Sequence, residues 1–210
     1  MALPEKIKSI FKKIGSRYSI VTPTGLQADE DWFCEPELNT QVTKPFVLLN
    51  FLKVNFPFDT EVKPGDTIEF LTGNSRYLVT VMLPEMFRDR IIKYLSVLYR
   101  CNDSATILRK TYTRDDNLKK IVTWSPFGIT WPALVADPYL GSELSENSDD
   151  DLQGVFSDDK QNLYISGDSG IVLGDRIFLA VKNGNHMVSK IKTTRYDNVL
   201  EIELDDDNRD

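Results

Sequence analysis

The chain contains one short pattern twice, and this internal echo limits the folds available to it more than any other feature. One copy reads VKPGDTIEFL from residue 62 and the other reads VLGDRIFL from residue 172, which aligns Gly65 with Gly174 and defines the spacing of the repeat. In each copy a Gly-Asp pair opens a strand-like run, and a second β-rich run follows at the same offset, at Tyr77 and His186. A repeated strand–turn–strand unit predicts a mainly β protein made of two related small antiparallel β-barrel or sandwich units.

The composition allows two domains of ordinary size. The chain has 210 residues, of which 41% are hydrophobic and 27% are charged, as in soluble globular proteins. Its longest apolar run, residues 46–52, is far shorter than the roughly 20 residues that a membrane-spanning helix needs. We therefore expect no membrane segment, and we predict an N-terminal helical segment over 1–16, a β domain over 17–101 that partly repeats the second, and a β domain over 102–210.

Charge is distributed very unevenly along this chain of net charge −7. Residues 1–20 carry a net +4, residues 143–160 a net −6 and residues 201–210 a net −5, which leaves zero for the rest (−7 − 4 + 6 + 5). The acidic stretch over 142–160 has few large apolar residues and is interpreted as a loop. Separate basic and acidic segments on a neutral body predict contact surfaces of opposite sign.

The N-terminus has the periodicity of an amphipathic helix. Apolar residues at i, i+3, i+4 and i+7 form one face between Pro4 and Gly15, and lysines cover the others. We expect this helix to dock on its own domain or on a neighbouring subunit; binding to a membrane surface is the alternative. The candidate assembly residues are Ile7, Ile10, Phe11, Ile14, Lys12 and Lys13 on the helix and Asp149, Asp150 and Asp151 in the acidic loop.

Short runs of β-forming residues account for most of the remaining chain. The stretch 84–100 fits either a helix face or a strand, and the repeat favours the strand. Residues 105–110 and 120–124 flank the turn-forming sequence Asp-Asp-Asn at 115–117, which predicts a hairpin. Residues 131–135 are predicted to form the next strand.

Two motifs suggest chemistry, and both have simpler explanations. The tetrapeptide Gly-Asp-Ser-Gly at 167–170 surrounds the nucleophile of chymotrypsin-like proteases, but the single histidine, His186, lies downstream of it. An ordinary turn has the same composition. The acidic run at 147–154 offers oxygen ligands for calcium, yet its glycine is out of register for a helix–loop–helix site. We expect no enzyme activity and no cofactor or metal.

The order of elements over residues 105–206 resembles that of the head–tail joining proteins of tailed bacteriophages, also called head closure or stopper proteins. The resemblance covers about half the chain and depends on turn and strand patterns. Its motifs are the strand 106–110, the turn at 114–117, strands containing Trp124 and Trp131, the Gly-Asp-Arg-Ile sequence from Gly174, the hairpin at 183–185, and the final acidic-tipped strand at 199–205.

The resemblance implies a virion protein of the phage neck, made in the host cytoplasm. It implies a homo-oligomeric ring, in six or twelve copies, below the portal of the DNA-filled head, with portal or adaptor and tail proteins as partners. DNA would pass nearby without sequence-specific binding, and a hypothesis for the acidic loop is that it faces the channel or an adjoining ring. A ring of identical subunits needs two different complementary faces on each copy.

Three other functions remain open at the level of sequence. A tail-completion or baseplate subunit would belong to the same broad class of virion proteins. An enzyme would need a catalytic set of residues that the motifs do not supply. A cellular binding module would use its β surface for a peptide or glycan.

Overall fold

A computed structural model describes residues 2–22, 25–26, 33–37, 51–71, 75–114, 118–136, 161–193 and 196–207. The chain divides into two compact units. Unit 1 comprises Met1–Cys101 together with Arg195–Val199, and unit 2 comprises Asn102–Thr194 together with Leu200–Asp210.

The described chain is mainly β with one short α-helix, as the sequence predicts. Unit 1 contains α1 (Leu3–Ile14), β1 (Ser16–Thr22), β2 (Gly25–Leu26), β3 (Phe33–Glu37), β4 (Phe51–Pro57), β5 (Thr67–Phe70), β6 (Arg76–Phe87) and β7 (Arg90–Arg100). The strands of the second half are β8 (Asp103–Arg114), β9 (Lys120–Ala136), β10 (Gln161–Ser166), β11 (Arg176–Leu179), β12 (Gly184–Thr193) and β13 (Val199–Asp206), with a 3-10 turn at Gly167–Ser169.

Both units join six strands in a closed cycle of pairings. In unit 2 the strands form a closed barrel in the order β10-β13-β12-β11-β8-β9. In unit 1 the run β1-β3-β4-β7-β6-β5 is closed by pairing of β5 with β1, from Tyr18 opposite Phe70 to Val21 opposite Thr67. If the strands of each cycle are numbered in chain order, both cycles read 1-2-3-6-5-4. The prediction of two related antiparallel β units is confirmed.

The echo in the sequence corresponds to one turn built twice with the same hydrogen bonds. The amide of Gly65 donates to Val79 O at 2.8 Å, and that of Gly174 donates to Val188 O at 3.2 Å. Each following aspartate accepts a hydrogen bond at Oδ2 from the amide three residues before it, at 2.7 Å in unit 1 and 3.0 Å in unit 2. Both glycines have positive φ, +86° and +84°, which residues with a Cβ rarely adopt.

The second strand after each turn also carries the same irregularity. A register shift lies between Val79 and Val81 in β6 and between Val188 and Lys190 in β12. The hydroxyl of the residue inside each shift donates to a carbonyl of the partner strand, from Thr80 at 2.8 Å and from Ser189 at 3.0 Å. The two units therefore share local geometry as well as strand order.

Each unit encloses its own apolar core, made of side chains that alternate along the strands. The core of unit 1 consists of Tyr18, Ile20, Val54, Phe56, Val62, Ile68, Phe70, Val79 and Leu98. The core of unit 2 consists of Ala105, Ile107, Trp131, Ala133, Val135, Leu163, Ile165, Ile171, Ile177, Leu179, Val188, Ile202 and Leu204. Val62 and Ile171 stand three residues before the turn glycine of their own unit, so they occupy matching places in the two cores.

The structure decides two points about the predicted strands that the sequence leaves open or divides wrongly. The ambiguous stretch 84–100 is the end of β6 and the whole of β7, which confirms the strand interpretation. The segments 120–124 and 131–135, predicted as separate strands, are parts of the single strand β9. Pro126 and Gly128 do not break this strand, because the register shift opposite Thr106 and Leu108 absorbs the extra residues as a bulge.

Cys101, a free cysteine directly after β7, supplies a testable consequence of the packing. Burial raises the pKa of its thiol to about 12, against smaller opposing effects of Arg76 and a backbone hydrogen bond at Leu78. At pH 8 we expect Cys101 to react with iodoacetamide roughly a thousand times more slowly than a cysteine of ordinary pKa, because the thiolate is the nucleophile. Peptide mapping by mass spectrometry resolves Cys101 from Cys34, and labelling in denaturant is the control.

The same shift predicts a pH dependence of stability. Between the ordinary thiol pKa of 9.0 and the folded value of about 12, the folded state retains a proton that the unfolded state has lost. Unfolding therefore becomes easier as the pH rises through this window, and the contribution is fully present only below pH 9. Equal labelling of Cys101 in native and denatured protein would contradict both expectations.

Candidate assembly surfaces

The N-terminal helix presents only part of its predicted apolar face to its own unit. Phe11 is buried, and α1 packs beside β3, β4 and β7. Ile7 is half-buried, whereas Ile10 and Ile14 are 50% and 65% exposed. Lys12 and Lys13 are exposed near the C-terminus of the helix, where positive charge favours the helix dipole. Phe11 therefore anchors the helix, and the exposed isoleucines are available to another surface.

The acidic candidates cannot be placed. Asp149, Asp150 and Asp151 lie outside the described residues, as does most of the loop predicted over 142–160.

The hairpin formed by β6 and β7 has an exposed apolar tip. Its turn residues Arg88 and Asp89 have positive φ, +48° and +60°. Leu83, Met86 and Phe87 are 56%, 54% and 48% exposed. Large apolar side chains grouped at the end of a two-stranded hairpin are typical of a protein-binding surface.

A second hairpin, formed by the outer parts of β8 and β9, is exposed along most of its length. Its residues from Lys110 to Arg114 and from Lys120 to Thr123 are exposed, whereas residues 103–109 of β8 and 131–136 of β9 are half-buried or buried. Lys120 Nζ lies 3.6 Å from the ring centroid of Tyr112, which is itself 55% exposed. This hairpin is therefore both basic and aromatic.

Two arginine–aspartate pairs lie at the base of the basic hairpin. Arg109 donates from Nε and Nη2 to Asp175 at 3.1 and 2.8 Å, which raises the pKa of Arg109, and its guanidinium lies 3.7 Å from the ring of Phe127. Arg176 Nε donates to Asp207 Oδ2 at 2.8 Å. Both side chains of the second pair are buried, at 9% and 1% exposed.

The Gly-Asp-Ser-Gly motif lacks the geometry of a catalytic serine. Ser169 is buried, and within the described part of the chain its hydroxyl and His186 Nε2 both lack a hydrogen-bond partner, so they are not bonded to each other. His186 Nδ1 lies 3.3 Å from Asp206 Oδ1 instead. When Gly174 is aligned with Gly65, the motif aligns with Asp59 and Thr60, just before the first Gly-Asp turn. At the spacing of the repeat the motif therefore corresponds to residues 58–61.

Other kinds of site find little support in the described part of the chain. Among these residues no group of three or more histidine, cysteine, aspartate and glutamate side chains is placed to hold a metal ion. None of the described helices is long and apolar enough to cross a membrane.

The exposed hairpins are the features that sequence reasoning missed. The patterns of β6 to β9 predict strands and turns, but they do not show where a strand leaves the barrel. One signal was present in the sequence: Thr111, Thr113 and Thr123 alternate with larger side chains where no long apolar run occurs. Thr111 and Thr123 face each other across the hairpin with hydroxyls 2.7 Å apart.

Comparisons with known proteins do not assign the chain to a family. No protein-family model matches it. The lipid scramblase CLPTM1L of Danio rerio is 30% identical over 139 residues, which are 64% of this chain and 24% of that protein. The chain thus spans about a quarter of the length of this relative. The solution structure of protein SF1141 from Shigella flexneri 2a covers 53% of the chain and 96% of its own, with 18% identity and a TM-score of 0.40.

Proposed function

We propose that this chain is a non-enzymatic structural subunit of the neck of a tailed phage. In this role it forms a homo-oligomeric ring, as a head closure, adaptor or collar protein, between the portal of the DNA-filled head and the tail. The observation that carries the proposal is the pair of closed β units with two exposed hairpins, one with an apolar tip and the other both basic and aromatic. Such a protein offers rigid scaffolds and several contact surfaces.

The strand pattern of unit 2 supports the same assignment. The residues that carry the resemblance to head–tail joining proteins lie at defined places in the barrel. The strand at 106–110 is part of β8, Trp124 and Trp131 are in β9, and Gly174 begins the turn into β11. A subunit interface needs complementary shape and exposed apolar surface rather than a reactive centre. A structural role is therefore compatible with a buried Ser169 that has no catalytic partner.

In this function the negative charge of the acidic segments would keep DNA from adhering to the ring. A neck ring surrounds DNA as it leaves the head, and carboxylates near the channel would repel phosphate and limit adhesion of the DNA. In that arrangement the basic hairpin of unit 2 would face protein rather than the channel. Neutralising Asp149, Asp150 and Asp151 together is then expected to alter DNA retention or tail joining.

The direct test is electron microscopy of phage particles made with and without the protein. Loss of the protein is expected to leave DNA-packaging heads and complete tails that fail to join. In intact virions, antibody or tag labelling is expected at the head–tail junction. Malformed tails, or label at the distal end, would overturn the neck assignment in favour of a tail-completion or baseplate subunit.

A further inference from the structure

The two equivalent Gly-Asp turns differ in one respect, which is whether anything covers them. In unit 1 Gly65 is buried, and the carbonyl oxygen of Asn198 lies 2.2 Å from the position that a Cβ on Gly65 would take. In unit 2 Gly174 is exposed, and no described atom comes within 4 Å of the corresponding position. The turn at Gly65 is therefore covered by another segment of the chain, whereas the equivalent turn at Gly174 is not covered by any described residue.

The segment that covers the turn at Gly65 is the end of a β-hairpin. Residues 196–198 belong to unit 1 and connect β12 to β13. The ring of Tyr196 packs edge-on against Tyr99, with centroids 6.1 Å apart, and Asn198 has a positive φ of +55°. A hairpin end with an aromatic residue and a left-handed turn residue is thus what covers a Gly-Asp turn in this fold.

In the repeat, the end of the hairpin formed by β6 and β7 corresponds to this covering segment. Phe87 and Asp89 align with Tyr196 and Asn198 at the same spacing that relates Gly65 to Gly174, and Asp89 has a matching positive φ of +60°. Phe87 at this tip is 48% exposed and its neighbour Met86 is 54% exposed, whereas the counterpart Tyr196 is only partly exposed. The described residues therefore present an uncovered turn together with an exposed tip that repeats the segment covering the other turn.

The two exposed surfaces also match in chemistry. Beside Gly174, Val172 and Leu173 are 48% and 64% exposed, whereas the covered turn has Lys63 and Pro64 at these positions. Apolar surface on both partners favours association in water. The tip exposes Arg88 and Arg90 alongside Glu85 and Asp89, so its net charge is zero. Its two arginines are the side chains opposite in sign to Asp168, which is exposed on the segment leading to the uncovered turn.

We propose that the hairpin tip at 83–90 of one copy docks on the turn at 172–174 of the next copy of this chain. This inference rests on the proposed function, since it identifies the ring contact. Each chain supplies one tip and one turn, so the contact is head-to-tail and every copy can bind two neighbours. A ring of six chains would then contain twelve tip-on-turn contacts, six within chains and six between them.

The test uses one variant of each surface in the full chain. Phe87→Asp disables the tip and Leu173→Asp disables the turn, and both residues are exposed, so folding is expected to persist. Native mass spectrometry of the wild type is expected to give a closed oligomer, and each variant alone a monomer of 24.0 kDa. Val181→Asp, at a site 74% exposed and outside both surfaces, is the matched control and should assemble as the wild type does.

Mixing the two variants separates a head-to-tail contact from other ways of associating. Each variant retains one intact surface, so the mixture is expected to form a one-to-one heterodimer that does not grow. Likewise, Arg88→Asp with Arg90→Asp should weaken assembly, and Asp168→Arg should restore part of it.

The outcomes distinguish the contact from the function. Oligomers in both single variants, or no heterodimer in the mixture, would overturn the contact while leaving the neck position to microscopy of virions. A wild type that remains monomeric at its highest soluble concentration would also overturn it. Correct docking with label at the distal end of the tail would retain the contact and remove the proposed function.

Discussion

Replacement of Asp207 by alanine is expected to lower the free energy of unfolding of unit 2 by about 3–5 kcal/mol. The Asp207 side chain is 1% exposed and accepts a hydrogen bond at 2.8 Å from Arg176, whose own side chain is 9% exposed. Removing the carboxylate takes the anionic partner away from a guanidinium in a low-dielectric site, and the ring of Trp124, 4.6 Å away, offsets only part of that loss. Urea unfolding followed by tryptophan fluorescence measures the loss.

The matched control for Asp207 is an ion pair of similar chemistry at the surface. Lys93 lies 3.3 Å from Glu85, which is 52% exposed, and Glu85→Ala should change stability by less than about 1 kcal/mol because water screens the pair. A similarly small change for Asp207→Ala would contradict the assignment of this buried pair as a structural element of the barrel.

Replacement of Gly65 by alanine is expected to destabilise unit 1 by about 3 kcal/mol or more, whereas Gly174→Ala should cost unit 2 only about 1 kcal/mol. The glycines have φ of +86° and +84°, so the conformational strain of the new Cβ is similar at the two sites. Only at Gly65 does the new methyl group also meet described backbone, at 2.2 Å from Asn198 O. The difference between the two losses of stability therefore measures how closely Asn198 packs against Gly65.

Thermal and urea unfolding of the two alanine variants, with circular dichroism of the folded state, test this expectation. Measured in the Phe87→Asp background, which is expected to be monomeric, a loss for Gly174→Ala as large as that for Gly65→Ala would show that the second turn is covered within a single chain. That result would also undermine the proposed contact between copies. Equal small losses would mean that the segment at 196–198 moves aside easily.

Local patterns account for most of the secondary structure. The spacing of Ile7, Phe11 and Ile14 predicts α1, because an amphipathic helix is recognisable from i, i+4 and i+7 positions alone. The repeat decides that 84–100 is β, although its own periodicity leaves the choice open. The same local view wrongly divides β9 at Pro126 and Gly128, because a bulge is defined by the partner strand, which is distant in sequence.

The exposure of individual side chains could be predicted less well from the sequence than the type of secondary structure. Ile10 and Phe11 have similar apolar character in the sequence, yet one is 50% exposed and the other 3%. The outer parts of β8 and β9 carry Tyr112 and Val122 on a hairpin outside the core, which no hydrophobicity pattern indicates. Which side chains are covered depends on where each strand leaves its barrel, and this is a property of the whole set of pairings.

The amino-acid sequence alone predicts two related β units, because a Gly-Asp turn and its flanking strands are local features that are recognisable as a repeat. The folded structure was needed to show that the turn at Gly65 is covered, whereas the turn at Gly174 is not covered by any described residue. Coverage of a turn depends on contacts between residues far apart in the chain, such as Gly65 and Asn198, and no local pattern encodes such contacts.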